Sequence, residues 1–464
     1  MKQTVSDLLN EIVQTATEPV CAYIYDLAGI QQQVRHMLTA LPQRTSLFYA
    51  IKANPDVRVI EALLPLVGGF EVASIGELMK VRSVSREVPI LFGGPGKKEH
   101  ELEQAIEQGV YALHVESLLE LRRIIHIVRR RNGQAGKQDL SAETLATMPN
   151  ESTSAVNRRI QIETSAQQKS ATIQAPVRIM LRINLHTASL PKTAITMGGK
   201  ATPFGLDEQL LDEAMDIIEQ EGSGAVQLSG FHFHSLSNNH DAALHADMVE
   251  LYLTRAAEWK RRYRLERLEL INAGGGLGVS YDEATPDFDW ETFTARIAGS
   301  AAHAALPETR IIFEPGRLLV ADHGYYAAEI IDLKQSHGQQ FAVLRGGTHH
   351  NRLPASWGHN HPFELYPTER WHYPWQRPEW TGCQISLVGE LCTPKDRLHT
   401  DGQVGRIRVG DIAVFLQSGA YCWTISHHDF LGHPHPQFYY ITEGREGEHV
   451  ITDDNNEPIG QADR

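Results

Sequence analysis

Four polar elements stand where apolar runs of the chain end. Lys52 closes Phe48-Tyr-Ala-Ile-Lys-Ala-Asn54, His232 and His234 close Val226–His234, Gly274-Gly275-Gly276 follow an apolar run from Leu268, and Glu314-Pro-Gly-Arg317 follow one from Arg310. A lysine at the end of a buried strand is costly unless it has a partner or a covalent task. Its amine can form a Schiff base with an aldehyde. A glycine run exposes backbone N–H groups that can cradle a phosphate. An imidazole can stack on a pyridine ring, and a carboxylate can keep the ring nitrogen protonated, which makes the ring an electron sink. An arginine adds charge at the phosphate. Singly, each has a plainer reading: a snorkelling lysine, a tight turn, a satisfied core histidine, a local ion pair. Their common place at strand ends points to a phosphorylated aromatic aldehyde.

The elements that must position them follow a rhythm. Eight strand-like runs, Ser46–Lys52, Gly69–Ser74, Pro89–Gly94, Tyr111–Ser117, Val177–Asn184, Val226–His234, Leu268–Gly275 and Arg310–Arg317, alternate with amphipathic stretches such as Ile75–Arg82, Glu99–Gln108, Glu116–Arg131 and Asp207–Glu221. Strands with little polar alternation are buried on both faces. Eight such units predict an α/β chain folded as a (β/α)8 TIM-type barrel, whose active site lies at the C-terminal ends of its strands. Gln134–Gln174, rich in Ser, Thr, Gln, Ala and Asn, reads as a mobile surface insertion without chemistry. After Arg317, short strand-like pieces (Gly324–Leu333, Gln340–Leu344, Cys383–Leu387, Asp411–Leu416, Phe438–Ile441) between turns rich in Gly, Pro and Asp predict a β domain. The expected division is 1–40 as an N-terminal segment whose strand Val20–Tyr25 joins the β domain, 41–317 as the barrel, and 318–464 as the β domain.

Bulk properties narrow the partners. The 464 residues carry a formal charge of -14, which argues against nucleic acid or an anionic membrane. No run of 18 apolar residues could span a bilayer, and Met1–Glu18 is too polar for a secretory leader. Four scattered cysteines, Cys21, Cys383, Cys392 and Cys422, fit a reduced, cytoplasmic protein. His427, His428, His433 and His435 cluster in sequence and read as structural or site-rim residues, with no metal expected.

The motifs Pro19–Asp26, Tyr49-Ala-Ile-Lys-Ala-Asn54, Phe70-Glu-Val-Ala-Ser74, Gly94-Pro-Gly-Lys97, Arg182-Ile-Asn184, Phe204-Gly205, Gly230-Phe-His-Phe-His234, Gly274–Gly276, Glu314–Arg317, Gly389-Glu-Leu-Cys392 and Gly419-Ala-Tyr421 occur in an order that resembles the fold-type III decarboxylases dependent on pyridoxal 5′-phosphate (PLP). That family includes the diaminopimelate and ornithine decarboxylases, and the resemblance covers nearly all of the chain outside 134–174. It implies that Lys52 is the Schiff-base lysine, that His234 stacks on the pyridine ring and that Glu314 partners the ring nitrogen. It implies that Ser237, Gly275, Gly276, Gly316, Arg317 and Tyr421 surround the phosphate. It further implies a homodimer with shared active sites, in which Cys392 is donated across the interface and helps to protonate the substrate carbon.

The departures bear on the substrate. Diamine-releasing members place an acidic residue after the cysteine, where this chain has Thr393. After Gly346-Gly347 comes Thr348-His349-His350-Asn351-Arg352, with Trp357 near the place of a substrate-holding tyrosine; Leu236 and Pro203 replace a glycine and a lysine. These departures, with Thr193–Gly199, Gly94–Lys98, Cys392-Thr-Pro394 and Phe430-Leu-Gly-His-Pro434, resemble a subgroup that decarboxylates citryl-amino acid conjugates in siderophore biosynthesis or a carrier-bound glutamyl group. Thr393, His349, His350 and Arg352 are then expected to face the distal carboxylates of the substrate. The alternatives are a diaminopimelate or other diamino acid decarboxylase, an amino acid racemase, and an inactive homologue that binds PLP or a partner.

Overall fold

The computed structural model describes residues 1–146, 175–187, 198–282, 284–443 and 449–453. The first strand, β1 (Cys21–Asp26), is followed by β2 (Thr45–Ala50), β3 (Gly69–Val72), β4 (Ile90–Phe92), β5 (Ala112–Val115), β6 (Val177–Asn184), a two-residue β7 (Leu206–Asp207), β8 (Val226–His232), β9 (Leu270–Asn272) and β10 (Arg310–Phe313). Strands β2 to β6 and β8 to β10 are parallel and pair in the order β5-β4-β3-β2-β10-β9-β8-β6, and β5 pairs with β6 to close the barrel. The (β/α)8 expectation is thus met, with strands one to four residues shorter than their apolar runs in most cases.

The helices between them start where the sequence supplies caps. Asp26 accepts from Gly29 N at 2.8 Å to open Leu27–Ala40. Ser74 accepts from Glu77 N at 3.2 Å, and Glu77 Oε2 returns the favour to Ala73 N at 2.7 Å, which starts Ile75–Val84. Asp241 caps Ala242–Arg262, whose last turn holds Lys260, Arg261 and Arg262 against the negative end of the helix dipole. The helix expected to end near Arg131 runs over Leu118–Ala146, so the stretch read as an insertion begins inside a helix. Residues 147–174, and Thr193 to Thr196 with Met197, lie outside the described residues.

One rule of strand geometry builds the site. Side chains two apart share a face. Phe48, Leu91, Ala112, Met180, Leu270 and Ile312, one from each of six barrel strands, form a separate buried apolar cluster. Two residues further along the same faces stand Ala50, Gly93, His114, Arg182, Asn272 and Glu314. A plug of apolar side chains therefore fills the barrel at one level, and polar groups occupy the next level toward the C-terminal ends.

The second sheet takes β11 (Gly324–Ser336), β12 (Gln339–Leu344), β13 (Phe363–Tyr366), β14 (Glu379–Val388), β15 (Arg397–Arg408), β16 (Ile412–Phe415), β17 (Gln437–Glu443) and β18 (His449–Asp453), in the order β15-β14-β12-β11-β1-β17-β18 with β16 joined to β11 and β13. Strand β1 lies inside it, antiparallel to β11 (Tyr23↔Tyr326) and parallel to β17 (Tyr23↔Phe438).

Candidate functional site

Lys52 sits not on β2 but in the single 3-10 turn Ile51–Ala53 directly after it. Ile51 and Ala53 are buried, so the turn locks on its apolar flanks and projects the lysine into a cavity of about 430 Å³. Ser237, His232, His234, Gly276, Glu314, Gly316, Arg317 and Tyr421 line the same cavity. The strand ends that the sequence marked are brought together in one place.

The electrostatics centre on Lys52 Nζ, 3.1 Å from Glu71 Oε2. Burial disfavours the charged amine, but Glu71, then Tyr421 and Glu314, outweigh it and hold the ammonium above its ordinary range. Burial pushes the Glu71 carboxyl up, against the pull of Lys52. Burial also drives His114, His232 and His234 down, so all three are neutral imidazoles at pH 7. His234 Nδ1 accepts from Gly275 N at 3.1 Å, which leaves the proton on Nε2.

The glycine run has two uses. A Cβ on Gly275 would lie 2.1 Å from Glu314 O, and one on Gly276 would lie 2.1 Å from Leu236 O, so no side chain fits at either position. At Gly276 the backbone is also left-handed, with φ +87°. The expectation that Gly275 offers its N–H to a phosphate needs correction: that N–H is spent on orienting the His234 ring. Gly276 lines the cavity, as does Gly316, whose absent Cβ keeps a space 3.0 Å from Ala53 Cβ and 3.5 Å from Tyr421 Oη.

Arg317 is buried between two rings, its guanidinium carbon 4.1 Å from the Trp357 centroid and 4.7 Å from that of Tyr421. Its Nη1 makes no well-formed hydrogen bond among the described residues, with the Tyr281 hydroxyl as a neighbour. A buried guanidinium donor without an acceptor is what a phosphate oxygen would complete. With Lys52 reachable, Glu314 buried and His234 oriented, the cavity fits PLP.

Other expected contacts are not formed. The turn after Gly346-Gly347 closes through His350 N and Asn351 N, both donating to Gly347 O, and tucks His349 and His350 into the second sheet at 0% exposure. His350 Nδ1 lies 3.2 Å from Tyr326 Oη and 3.4 Å from Cys21 Sγ. Neither histidine can touch a substrate, which corrects that assignment. Arg352 is exposed, 3.3 Å from His427 Nδ1 and outside the cavity wall. Cys392 is exposed and Thr393 half-buried, on a turn that does not line the cavity of its own chain. All four cysteines are free.

The functional residues that sequence reasoning missed are Glu71, His114, Glu116 and Asn272. Glu71 is the partner of Lys52. Glu116 ties three loops over the cavity by accepting from Gly94 N, Arg182 Nη1 and Gly205 N at 2.9, 2.8 and 3.0 Å. The rings of His114 and His232 lie with centroids 4.0 Å apart, tilted by 31°, beside Glu314. These two and Glu314 form a group whose metal-ligating atoms all lie within 4.8 Å of one another, whereas the sequence drew attention to His427–His435. Asn272 and Glu71, polar residues inside apolar runs, were the legible signal.

The chain has known relatives. It is 38% identical, over 94% of its length and 98% of the relative's, to 2-[(L-alanin-3-ylcarbamoyl)methyl]-2-hydroxybutanedioate decarboxylase of Staphylococcus aureus. It is 29% identical, over 89% of its length and 87% of the relative's, to L-glutamyl-[BtrI acyl-carrier protein] decarboxylase of Niallia circulans. The fold matches that of crystalline diaminopimelate decarboxylase from Helicobacter pylori complexed with L-lysine, with a TM-score of 0.74 at 22% identity over 96% and 95% of the two chains. Residues 27–321 match the family described as pyridoxal-dependent decarboxylase, pyridoxal binding domain. With Lys52, the His234 imidazole and the buried Glu314 carboxyl in one cavity, and with this match across most of the chain, the protein belongs to the pyridoxal-dependent decarboxylases.

Proposed function

We propose that this decarboxylase acts on an amino acid joined through an amide to a polycarboxylate, a citryl conjugate of the kind used in siderophore biosynthesis. The observation that carries the reading is the 38% identity over 94% of the chain to a relative whose named substrate is such a conjugate. Thr393 supports it, because an acidic side chain there would repel a distal carboxylate and a hydroxyl does not. Arg352, exposed beside the loop of Ile425 that lines the cavity, supplies a guanidinium for the distal end.

PLP, when bound, supplies an electron sink for the pair left on the substrate carbon as CO2 departs. Lys52 would hold the cofactor, His234 would cover its ring, Glu314 would face the ring nitrogen, and Arg317, Gly276, Gly316, Ser237 and Tyr421 would enclose its phosphate. Lys52 must lose a proton before its amine can attack a carbonyl, and Glu71 Oε2 at 3.1 Å is placed to take it. Lys52 Nζ or Cys392 Sγ then returns a proton to the carbon. In this reading the protein is a cytoplasmic homodimer, and the Cys392 turn reaches the cavity of a second copy.

Two measurements test it. CO2 release by PLP-loaded protein is expected from citryl conjugates of serine or short diamino acids and not from meso-diaminopimelate, ornithine or lysine. Turnover of meso-diaminopimelate alone would refute the substrate class. Arg317→Ala is expected to weaken PLP binding about 10- to 100-fold, the worth of one or two hydrogen bonds to a charged group. An unchanged PLP titration would remove Arg317 from the phosphate site.

A further inference from the structure

The carboxylate of Glu314 is 4% exposed, and among the described residues no lysine or arginine pairs with it. The oxygens of a carboxyl buried this deeply need other partners. Its Oε1 accepts from Asn272 Nδ2 at 2.5 Å. Its Oε2 lies 3.5 Å from His232 Nε2, outside hydrogen-bond geometry, so one oxygen is engaged and the other is left toward the cavity.

Asn272 is 0% exposed and its orientation is forced. Gly274 N donates to its side chain at 2.9 Å, and an N–H can be met there by the amide oxygen and not by the amide nitrogen. Both protons of Nδ2 are therefore directed away, one to Glu314 Oε1 and the other to His114 Nε2 at 3.2 Å. His114 is neutral, so its proton sits on Nδ1 and its Nε2 accepts. A single amide thus reads three neighbours: a backbone N–H, an imidazole lone pair and a carboxylate. A protonated Glu314 could still receive the Asn272 bond, but the anion receives it more strongly.

We infer that Asn272 is a positioning residue, which fixes the Glu314 carboxyl through Oε1 and leaves Oε2 free to face the cofactor's ring nitrogen. The inference rests on the assignment of PLP to this cavity.

The test is Asn272→Asp, which is isosteric and keeps an oxygen for Gly274 N. Its second oxygen then meets Glu314 Oε1 where the amide donor was. Two carboxylates at that distance share a proton, and Glu314 loses its full negative charge. The expected result is a shift of at least about one unit in the pH titration of the bound cofactor's visible absorbance, and a roughly 100-fold lower kcat with KM changed less than about threefold. The double variant Asn272→Asp/Glu314→Gln restores a donor-acceptor pair with the roles reversed. It should recover the melting temperature lost by the single variant while leaving the absorbance titration altered. An Asn272→Asp protein with the wild-type titration and kcat would overturn the inference. So would a variant whose melting temperature falls while its titration stays wild-type, since that is a packing role alone. Wild-type protein that develops no visible absorbance with PLP would instead overturn the cofactor assignment, independently of Asn272.

Discussion

Replacing Lys52 by alanine is expected to lower decarboxylation by on the order of 10³- to 10⁴-fold and to leave the fold intact. The side chain is 41% exposed to the cavity and contributes little to packing. What it leaves behind is Glu71, buried and already pushed toward its neutral form, so no unpaired anion need remain at pH 7. Borohydride reduction provides a second check. It should fix the mass of the cofactor on the wild-type chain and not on the variant. Covalent fixation on Lys52→Ala would show that another amine does the work.

The second large effect concerns stability in acid. Burial lowers His245 to about 4, His361 to about 3 and His350 to about 2. In the unfolded chain each titrates near about 6.5. As pH falls through that value the unfolded chain binds protons that the folded chain refuses. Each histidine therefore stabilises the fold fully above about pH 6.5 and progressively less below it, by on the order of 1–3 kcal/mol by pH 4. Buried carboxyls pushed upward, such as Glu120 and Asp396, act in the opposite sense. The sign is therefore best read from a variant. Urea midpoints should fall between pH 7.5 and 5, and His245→Gln should show a shallower fall than wild type. Equal pH slopes for the two proteins would dismiss His245 as an acid-sensitive group.

What the sequence disclosed follows from the kinds of force involved. Strands buried on both faces must be apolar almost throughout, so the eight barrel runs stood out, and the residues that ended them, Lys52, His234, Glu314 and Arg317, stood out with them. Asn272, His114 and Glu71 were harder. Each looks like a blemish in an apolar run until the barrel axis is known and alternation assigns it to the inner face. The strand β15 did not stand out because its sequence, Arg-Leu-His-Thr-Asp-Gly-Gln-Val-Gly-Arg-Ile-Arg, is mostly polar; it is the edge of its sheet and one face meets water. His349 and His350 failed for the reverse reason. Polar side chains after a glycine turn suggested a ligand, but two left-handed glycines, Gly346 at φ +99° and Gly347 at φ +153°, fold them inward. No rule of composition states which way a turn closes.

The placement of β1 has a consequence for synthesis on the ribosome. The hydrogen-bonding edges of this strand are completed by much later residues, 324–328 on one side and 437–441 on the other. The nascent chain must carry Cys21–Asp26, six buried residues, with no neighbour on either edge until residue 328 and only one until residue 441 has been made. The barrel strands face no such delay, since most pair with the next strand to appear. Assembly is thereby ordered in time: the barrel can form first, and the second sheet waits until residue 441 has emerged. A nascent chain stalled before residue 437 should hold a protease-resistant barrel and a cleavable amino terminus, and one released at full length should resist at both.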